Sequence, residues 1–255
     1  MNAMRGEFFL DHRQAHVWLF ELSASAGSLE YFRAQLSPDE KARAERFCFE
    51  HLRVSYVIAH GVLRSILAKY VNAAPATLDF CYNQQGKPSI SGGGRIRFNL
   101  SHSGTLAACA VAADCDIGVD VEQIRDMTDL FDIATRFFSP AECADLARTP
   151  LDRQEPAFFN CWTRKEAYIK AIGGGLSIPL DSFCVSLLPE EPARLISNCE
   201  NDASRWNIQA FDPGAGYRGA VAYDGGPREL IIHRIKADEA SEAWETCEKL
   251  RNESD

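Results

Sequence analysis

Two carboxylates in the segment Ile117-Gly118-Val119-Asp120-Val121-Glu122 offer the clearest chemistry in this chain. The segment has the composition of a β-strand, in which residues two apart project from the same face, so Asp120 and Glu122 stand side by side while Val119 and Val121 point into a core. Acids that close repel one another unless a cation or solvent separates them, and a hard cation that takes oxygen ligands satisfies both. Taken alone, the segment fits two acids on a solvated strand face rather better than it fits a cation site.

A second group lies in Trp162-Thr163-Arg164-Lys165-Glu166-Ala167-Tyr168-Ile169-Lys170. At helical spacing Trp162, Glu166, Ile169 and Lys170 share one side. Phe158, Phe159 and Trp162 anchor that helix, which suits a residue that must be placed accurately. The plainer alternative is a surface Glu166–Lys170 pair worth a few tenths of a kcal/mol. In Phe98-Asn99-Leu100-Ser101-His102-Ser103-Gly104, polar residues crowd the end of a strand before a turn, where groups are commonly displayed to a ligand. Ser101 and His102 are adjacent and point to opposite faces, which argues against a hydrolytic dyad. Cations gather at Lys41, Arg43 and Arg46 on one short helix, at Arg53 on the next and at Lys87 in a Gly86-Lys87-Pro88 turn. A solvated surface accounts equally well for the first three. No GxxxxGK[ST] loop occurs, which removes a P-loop kinase.

The elements that must position these groups are legible in outline. Residues 15–22 read as a strand, Ser37-Pro38-Asp39-Glu40 as a capping box, and 51–71 as a long helix closed by the Asn72–Pro75 breaker. Strands near 78–82 and 95–100 follow, and the latter forms a hairpin with 105–113. The order then recurs: a strand near 117–122, a second box at Ser139-Pro140-Ala141-Glu142, a helix from about 155 to 172 ended by Gly173-Gly174-Gly175, and strands at 182–188, 205–211 and 220–224. This predicts an α+β fold of two pseudo-twofold-related halves, residues 1–116 and 117–255, with the active site in the groove between them. The acidic stretch after residue 228 reads as a partly ordered, solvated tail.

Composition bounds the function. With 255 residues, 46% apolar and 25% charged, the chain is an ordinary globular protein. Its formal charge of −9 argues against a nucleic-acid binder. The absence of a signal-like N-terminus or a spanning apolar run predicts a cytoplasmic protein that needs no membrane, expected as a monomer. Nine cysteines without a CxxC or Cys/His cluster read as reduced thiols.

Together these segments resemble the surfactin-type (Sfp-type) 4′-phosphopantetheinyl transferases, whose signatures are approximately GxD(x)E and (W/F)xxKExxxK. Both are complete here, at Gly118–Glu122 and Trp162–Lys170. The likeness extends over roughly residues 36–188, through Arg46-Phe47, Gly86-Lys87-Pro88, the FNLSHSG strand, RFFSPAE at 136–142 and GLSIPLDSF at 175–183. It implies the fold of that family and a Mg²⁺-dependent enzyme that moves the phosphopantetheine arm of coenzyme A onto a serine of an apo carrier protein. It implies that Asp120, Glu122 and Glu166 bind Mg²⁺. Glu166, directly or through a metal-bound water, would then serve as the catalytic base, and Lys165 or Lys170 would steady charge on the phosphate. Ser101, His102, Lys87 and Lys170 would contact coenzyme A, and Lys41, Arg43, Arg46 or Arg53 its 3′-phosphate. At a position of the first helix where relatives often carry Lys or Arg, this chain has Glu40, which leaves Arg43 and then Arg53 as the preferred cations. The competing readings are a catalytically inactive carrier-binding homologue and an unrelated metal-dependent phosphohydrolase.

Overall fold

Ser37 and Ser139 both have extended backbone, accept a hydrogen bond from the backbone N–H of the N3 residue, and receive that residue's glutamate on their own N–H. Two reciprocal capping boxes thus start the short helices α2 and α5 of a structure in which each half repeats the other's plan. In the computed structural model, which describes residues 9–92, 94–198 and 203–242, the first half runs β1 (Gln14–Glu21), α1 (Ala26–Gln35), α2 (Pro38–Ala44), α3 (Glu50–Val71), β2 (Phe80–Tyr82), β3 (Pro88–Ile90), β4 (Ile96–Ser103) and β5 (Leu106–Ala113). The second half runs β6 (Ile117–Gln123), α4 (Leu130–Phe137), α5 (Pro140–Arg148), α6 (Leu151–Ile172), β7 (Phe183–Val185), β8 (Leu195–Asn198), β9 (Trp206–Phe211) and β10 (Tyr217–Asp224). A last strand, β11 (Glu229–Ile235), follows, and residues 237–242 after it are helical.

The long helices α3 and α6 each stop at a left-handed residue, Asn72 at φ 49° and Gly173 at φ 75°. Pro156 sits inside α6 but near its start, where only one backbone bond is forfeited.

One sheet has the order β11-β1-β5-β4 and a second the order β6-β10-β9. Along β5, Ala107, Cys109 and Val111 pack into a core with Trp18, Phe20 and α3, whereas Ala108, Ala110 and Ala112 pack with Ile117, Val119, Val121 and Val221 of the second sheet. The strand is thus buried on both faces, and its alanines let the two sheets approach closely. On the far side, Ala220 and Ala222 of β10 meet α6 and its aromatic neighbours. The layers run helices, sheet, sheet, helices, so the α+β expectation and its paired halves hold, and the sheet-to-sheet seam lies between β4 and β6.

The reading of residues after 228 as a solvated tail is corrected. β11 pairs in parallel with β1 from Gln14–Glu229 to Phe20–Ile235, and Ala237 and Ala240 are buried in the first half's core. A chain segment following the second half therefore completes the sheet of the first, and the boundary near residue 116 divides the halves only as far as β10. Residues 243–255 of that predicted tail lie outside the described residues.

Candidate active site

Three side chains on one face of β4 clasp β6 in register. Asn99 Oδ1 accepts from the Val119 N–H at 2.9 Å, Ser101 Oγ donates to Asp120 Oδ1 at 2.8 Å, and Ser103 Oγ donates to Glu122 Oε2 at 2.5 Å while accepting from the Gln123 N–H at 3.2 Å. The period-two alternation of both strands produces this ladder. From the other side, α6 presents Lys170, whose Nζ lies 2.6 Å from Asp120 Oδ1 and 3.1 Å from Ser101 Oγ. Gly118 makes that approach possible, because a Cβ there would run into the Ala167 carbonyl and the Ala171 backbone nitrogen.

Asp120 is 2% exposed, and its Oδ2 is buried without a hydrogen-bond partner. Burial raises the Asp120 carboxyl above the usual range against the pull of Lys170 and Ser101. Burial also raises Glu122, with Ser103 opposing and the Asp120 charge adding to the rise. Glu166 rises for the same first reason; Lys170 opposes, and the charges of Asp120 and Glu122 add further. The structure thus brings Asp120, Glu122, Glu166, Lys170 and Ser101 to one place. Ser103, which the sequence reading passed over, belongs with them; its place on the same strand face as Ser101 was the available signal. Among the described residues, however, no three His, Cys, Asp or Glu side chains form a closed group that could hold a metal ion. The expected three-carboxylate cage is not preformed; the Lys170 ammonium occupies one oxygen of Asp120 instead.

Other expected residues go elsewhere. Lys165 is 0% exposed; its Nζ donates to the carbonyls of Leu180 at 2.7 Å and Phe183 at 2.6 Å and pairs with Glu142 at 2.7 Å. It faces into the second half's core, one residue's rotation away from Glu166, and cannot steady a phosphate. Lys87 donates from Nζ to the Ala171 carbonyl at 2.6 Å, and Asn83 Nδ2 to that of Gly173 at 2.9 Å, so the β2–β3 turn caps the C-terminus of α6 across the seam. Burial lowers the Lys87 ammonium, and the charge that most opposes this is that of Asp116, with neither Asp120 nor Glu122 among its causes.

The cations expected on the first helices make local contacts, and Arg46 lies just past the end of α2 rather than on it. Arg53 pairs with Glu45 and Glu50, the Lys41 ammonium donates to the Ala34 carbonyl at 3.2 Å, and Arg43 lies 5.8 Å from the Tyr56 ring. Arg46 is exposed. Glu40, the departure noted above, proves structural. Besides capping α2 it receives Arg64 Nε at 2.7 Å, and Arg64 also donates to the carbonyls of Pro75 and Leu78. Glu142 and Lys165 repeat this arrangement in the second half, each cation lying over a phenylalanine: Arg64 over Phe80, Lys165 over Phe183. His102 turns away from the carboxylates, on the strand face it shares with Phe98 and Leu100; desolvation, with the charges of His60 and Lys170, lowers its imidazolium.

Comparison with known proteins shows the family. Residues 23–115 match the family described as 4′-phosphopantetheinyl transferase, N-terminal, and residues 116–222 match the 4′-phosphopantetheinyl transferase superfamily. The chain belongs to the 4′-phosphopantetheinyl transferase family and is an enzyme of that class. It is 38% identical over 217 residues to 4′-phosphopantetheinyl transferase HetI of Nostoc sp. (strain PCC 7120), a match covering 83% of this chain and 88% of that one. To 4′-phosphopantetheinyl transferase Sfp of Bacillus subtilis (strain 168) it is 31% identical over 192 residues, 75% of this chain and 84% of the relative. Among the described residues no helix is long and apolar enough to cross a membrane, and all seven described cysteines are free thiols.

Proposed function

We propose that this enzyme transfers the 4′-phosphopantetheine arm of coenzyme A to a serine of an apo acyl or peptidyl carrier protein and releases 3′,5′-ADP, with Mg²⁺ as its cofactor. The observation that carries the reading is the meeting of Asp120 and Glu122 from β6 with Glu166 and Lys170 from α6 at the seam of the two halves. Asp120, Glu122 and Glu166 are the residues that would hold Mg²⁺. The buried, unpartnered Asp120 Oδ2 and an all-oxygen donor set suit that ion, and a site left open by the protein suits a metal that keeps water and phosphate oxygens. When bound, Mg²⁺ would screen the charge of the diphosphate.

The chain's own residues supply the remainder. The carrier serine oxygen forms a bond to the phosphorus bearing pantetheine, the bond from that phosphorus to the 3′,5′-ADP oxygen breaks, and the serine proton passes to Glu166. Burial and neighbouring acids raise the Glu166 carboxyl, which makes it a better proton acceptor than a surface glutamate. Lys170, drawn off Asp120, balances charge on the phosphoryl oxygens. The nucleophile arrives with the partner, so the chain needs no internal triad. The test is to incubate the protein with Mg²⁺, coenzyme A and an apo carrier protein and to look by mass spectrometry for the added arm. Wild-type protein adds it and Glu166→Gln does not; an unmodified carrier, or a fully active Glu166→Gln, would sink the reading.

A further inference from the structure

Two hydroxyls of β4 each engage one oxygen of one carboxylate on β6. Ser101 Oγ donates to Asp120 Oδ1, which Lys170 also holds, and Oδ2 stays buried without a partner. Ser103 Oγ donates to Glu122 Oε2 at 2.5 Å and leaves Oε1. Ser103 is in turn fixed by the second half. Its oxygen accepts the Gln123 N–H at 3.2 Å, which directs its proton to Glu122. The next residue, Gly104, has φ 58°, and a Cβ there would come within 2.4 Å of Gln123 Oε1 and 2.8 Å of the Tyr217 hydroxyl. Tyr217 stands opposite Gln123 where β10 pairs with β6, and its hydroxyl oxygen accepts the Thr105 N–H at 3.3 Å. The β4–β5 turn of the first half thus sits in a bracket built by two strands of the second, and the bracket sets where the Ser103 hydroxyl stands.

We infer that Ser103, seated by Gln123 and Tyr217, is a positioning residue that makes Glu122 a one-oxygen ligand and so sets which divalent cation the site takes. This rests on the Mg²⁺-dependent transferase reading above. A carboxylate hydrogen-bonded at one oxygen presents the other, and two such acids side by side supply one oxygen each. A small ion with six close ligands is satisfied by single oxygens, the rest coming from water and phosphate, whereas a larger ion such as Ca²⁺ gains from carboxylates that give both oxygens. A donor that keeps one oxygen occupied therefore favours the small ion over the large one, and removing such a partner of a metal ligand typically changes metal affinity about 10–100-fold. Asp120 is restrained twice, by Ser101 and by Lys170. Among the described residues the hydrogen-bond donor to Glu122 is Ser103, so the choice of ion turns on that hydroxyl.

Calorimetry of coenzyme A binding to the full chain in Mg²⁺, in Ca²⁺ and in chelator tests this without turnover. Wild-type protein binds coenzyme A more tightly in Mg²⁺ than in Ca²⁺. Ser103→Ala frees Oε2 of Glu122 and narrows that preference about tenfold with affinity in chelator unchanged, and Ser103→Thr, which keeps the hydroxyl, restores it. Tyr217→Phe, which keeps the ring but not the hydroxyl, narrows the preference in the same direction by less. A hydroxyl that served only the fold would shift the affinity equally under all three conditions. Should both ions strengthen wild-type binding equally, or Ser103→Ala keep the wild-type ratio between them, the inference is overturned while the transferase reading stands. Should neither ion strengthen wild-type binding over chelator, it is the metal-dependent reading that fails, and the inference with it.

Discussion

Lys170 Nζ and Asp120 Oδ1 are 2.6 Å apart across the contact between α6 and β6, and only the ammonium is partly open to solvent. The pair holds together a site whose carboxylates repel one another, and the other oxygen of Asp120 is left for a ligand.

Replacing Lys170 with methionine keeps the aliphatic stem but strands a buried carboxylate. The expected loss is about 2–3 kcal/mol of stability, below the 3–5 typical of breaking a fully buried pair because Lys170 is partly solvated. Transfer falls by more than the about hundredfold typical of removing one charge-stabilising group. Urea unfolding and the carrier-modification assay measure the two effects; a variant with wild-type unfolding would show that the pair carries no weight.

Lys165 behaves oppositely. Lys165→Met leaves the buried Glu142 carboxylate without its ion-pair partner, with an expected cost of about 3–5 kcal/mol. Because its ammonium points away from the carboxylates, transfer per folded molecule stays near wild type at a temperature where the variant is folded. Adding Glu142→Gln recovers part of the lost stability, and a double-mutant cycle measures the coupling. Loss of turnover without loss of stability would return Lys165 to the active site.

These two lysines mark where sequence reading stops. Asp120, Glu122, Glu166 and Lys170 could be found because strand and helix periods place them on shared faces, and Ser37 and Ser139 because capping boxes are local. Lys165 is only one residue from Glu166, and whether it meets ligand or core depends on how α6 is rotated against the second sheet, which Gly118 and a row of alanines decide. The structural role of Glu40 was hidden for a similar reason: its partner Arg64 lies 24 residues later in the sequence. β11 was missed because its partner, β1, lies at the other end of the chain.

Gly118→Ala tests the closeness of β6 and α6 directly. The added Cβ would overlap the backbone of Ala167 and Ala171, neither of which can swing aside. The strand must then shift from the helix, at a cost of about 1–3 kcal/mol for overpacking. That displacement separates Asp120 from Lys170, so transfer falls further than the unfolded fraction explains. Activity and unfolding measured on the same sample decide the matter; a variant that loses only what it unfolds would mean that the spacing is not critical.

A buried histidine far from the seam predicts how the fold responds to acid. Trp18 Nε1 donates to the Tyr70 hydroxyl oxygen at 2.9 Å, which leaves that hydroxyl's proton for His16 Nδ1 at 2.6 Å, so the neutral imidazole is the form that fits. His16 is 6% exposed, and its ring lies 5.0 Å from that of His233 on β11. Burial first, and the His233 charge second, lower it to about 4 from its ordinary 6.5. The unfolded chain therefore binds the proton more readily than the native one, and stability falls as pH drops from about 6.5 toward 4, by up to about 3 kcal/mol. Glu40, lowered to about 2, contributes the same sign only at more acid pH. The raised carboxyls of Asp120, Glu122 and Glu166 act in the opposite sense, because the native state binds their protons more readily. The informative quantity is thus a difference between proteins: in urea unfolding at pH 7.5 and pH 5, His16→Gln loses less stability on acidification than wild type, and equal losses in the two would exclude His16 as the group responsible.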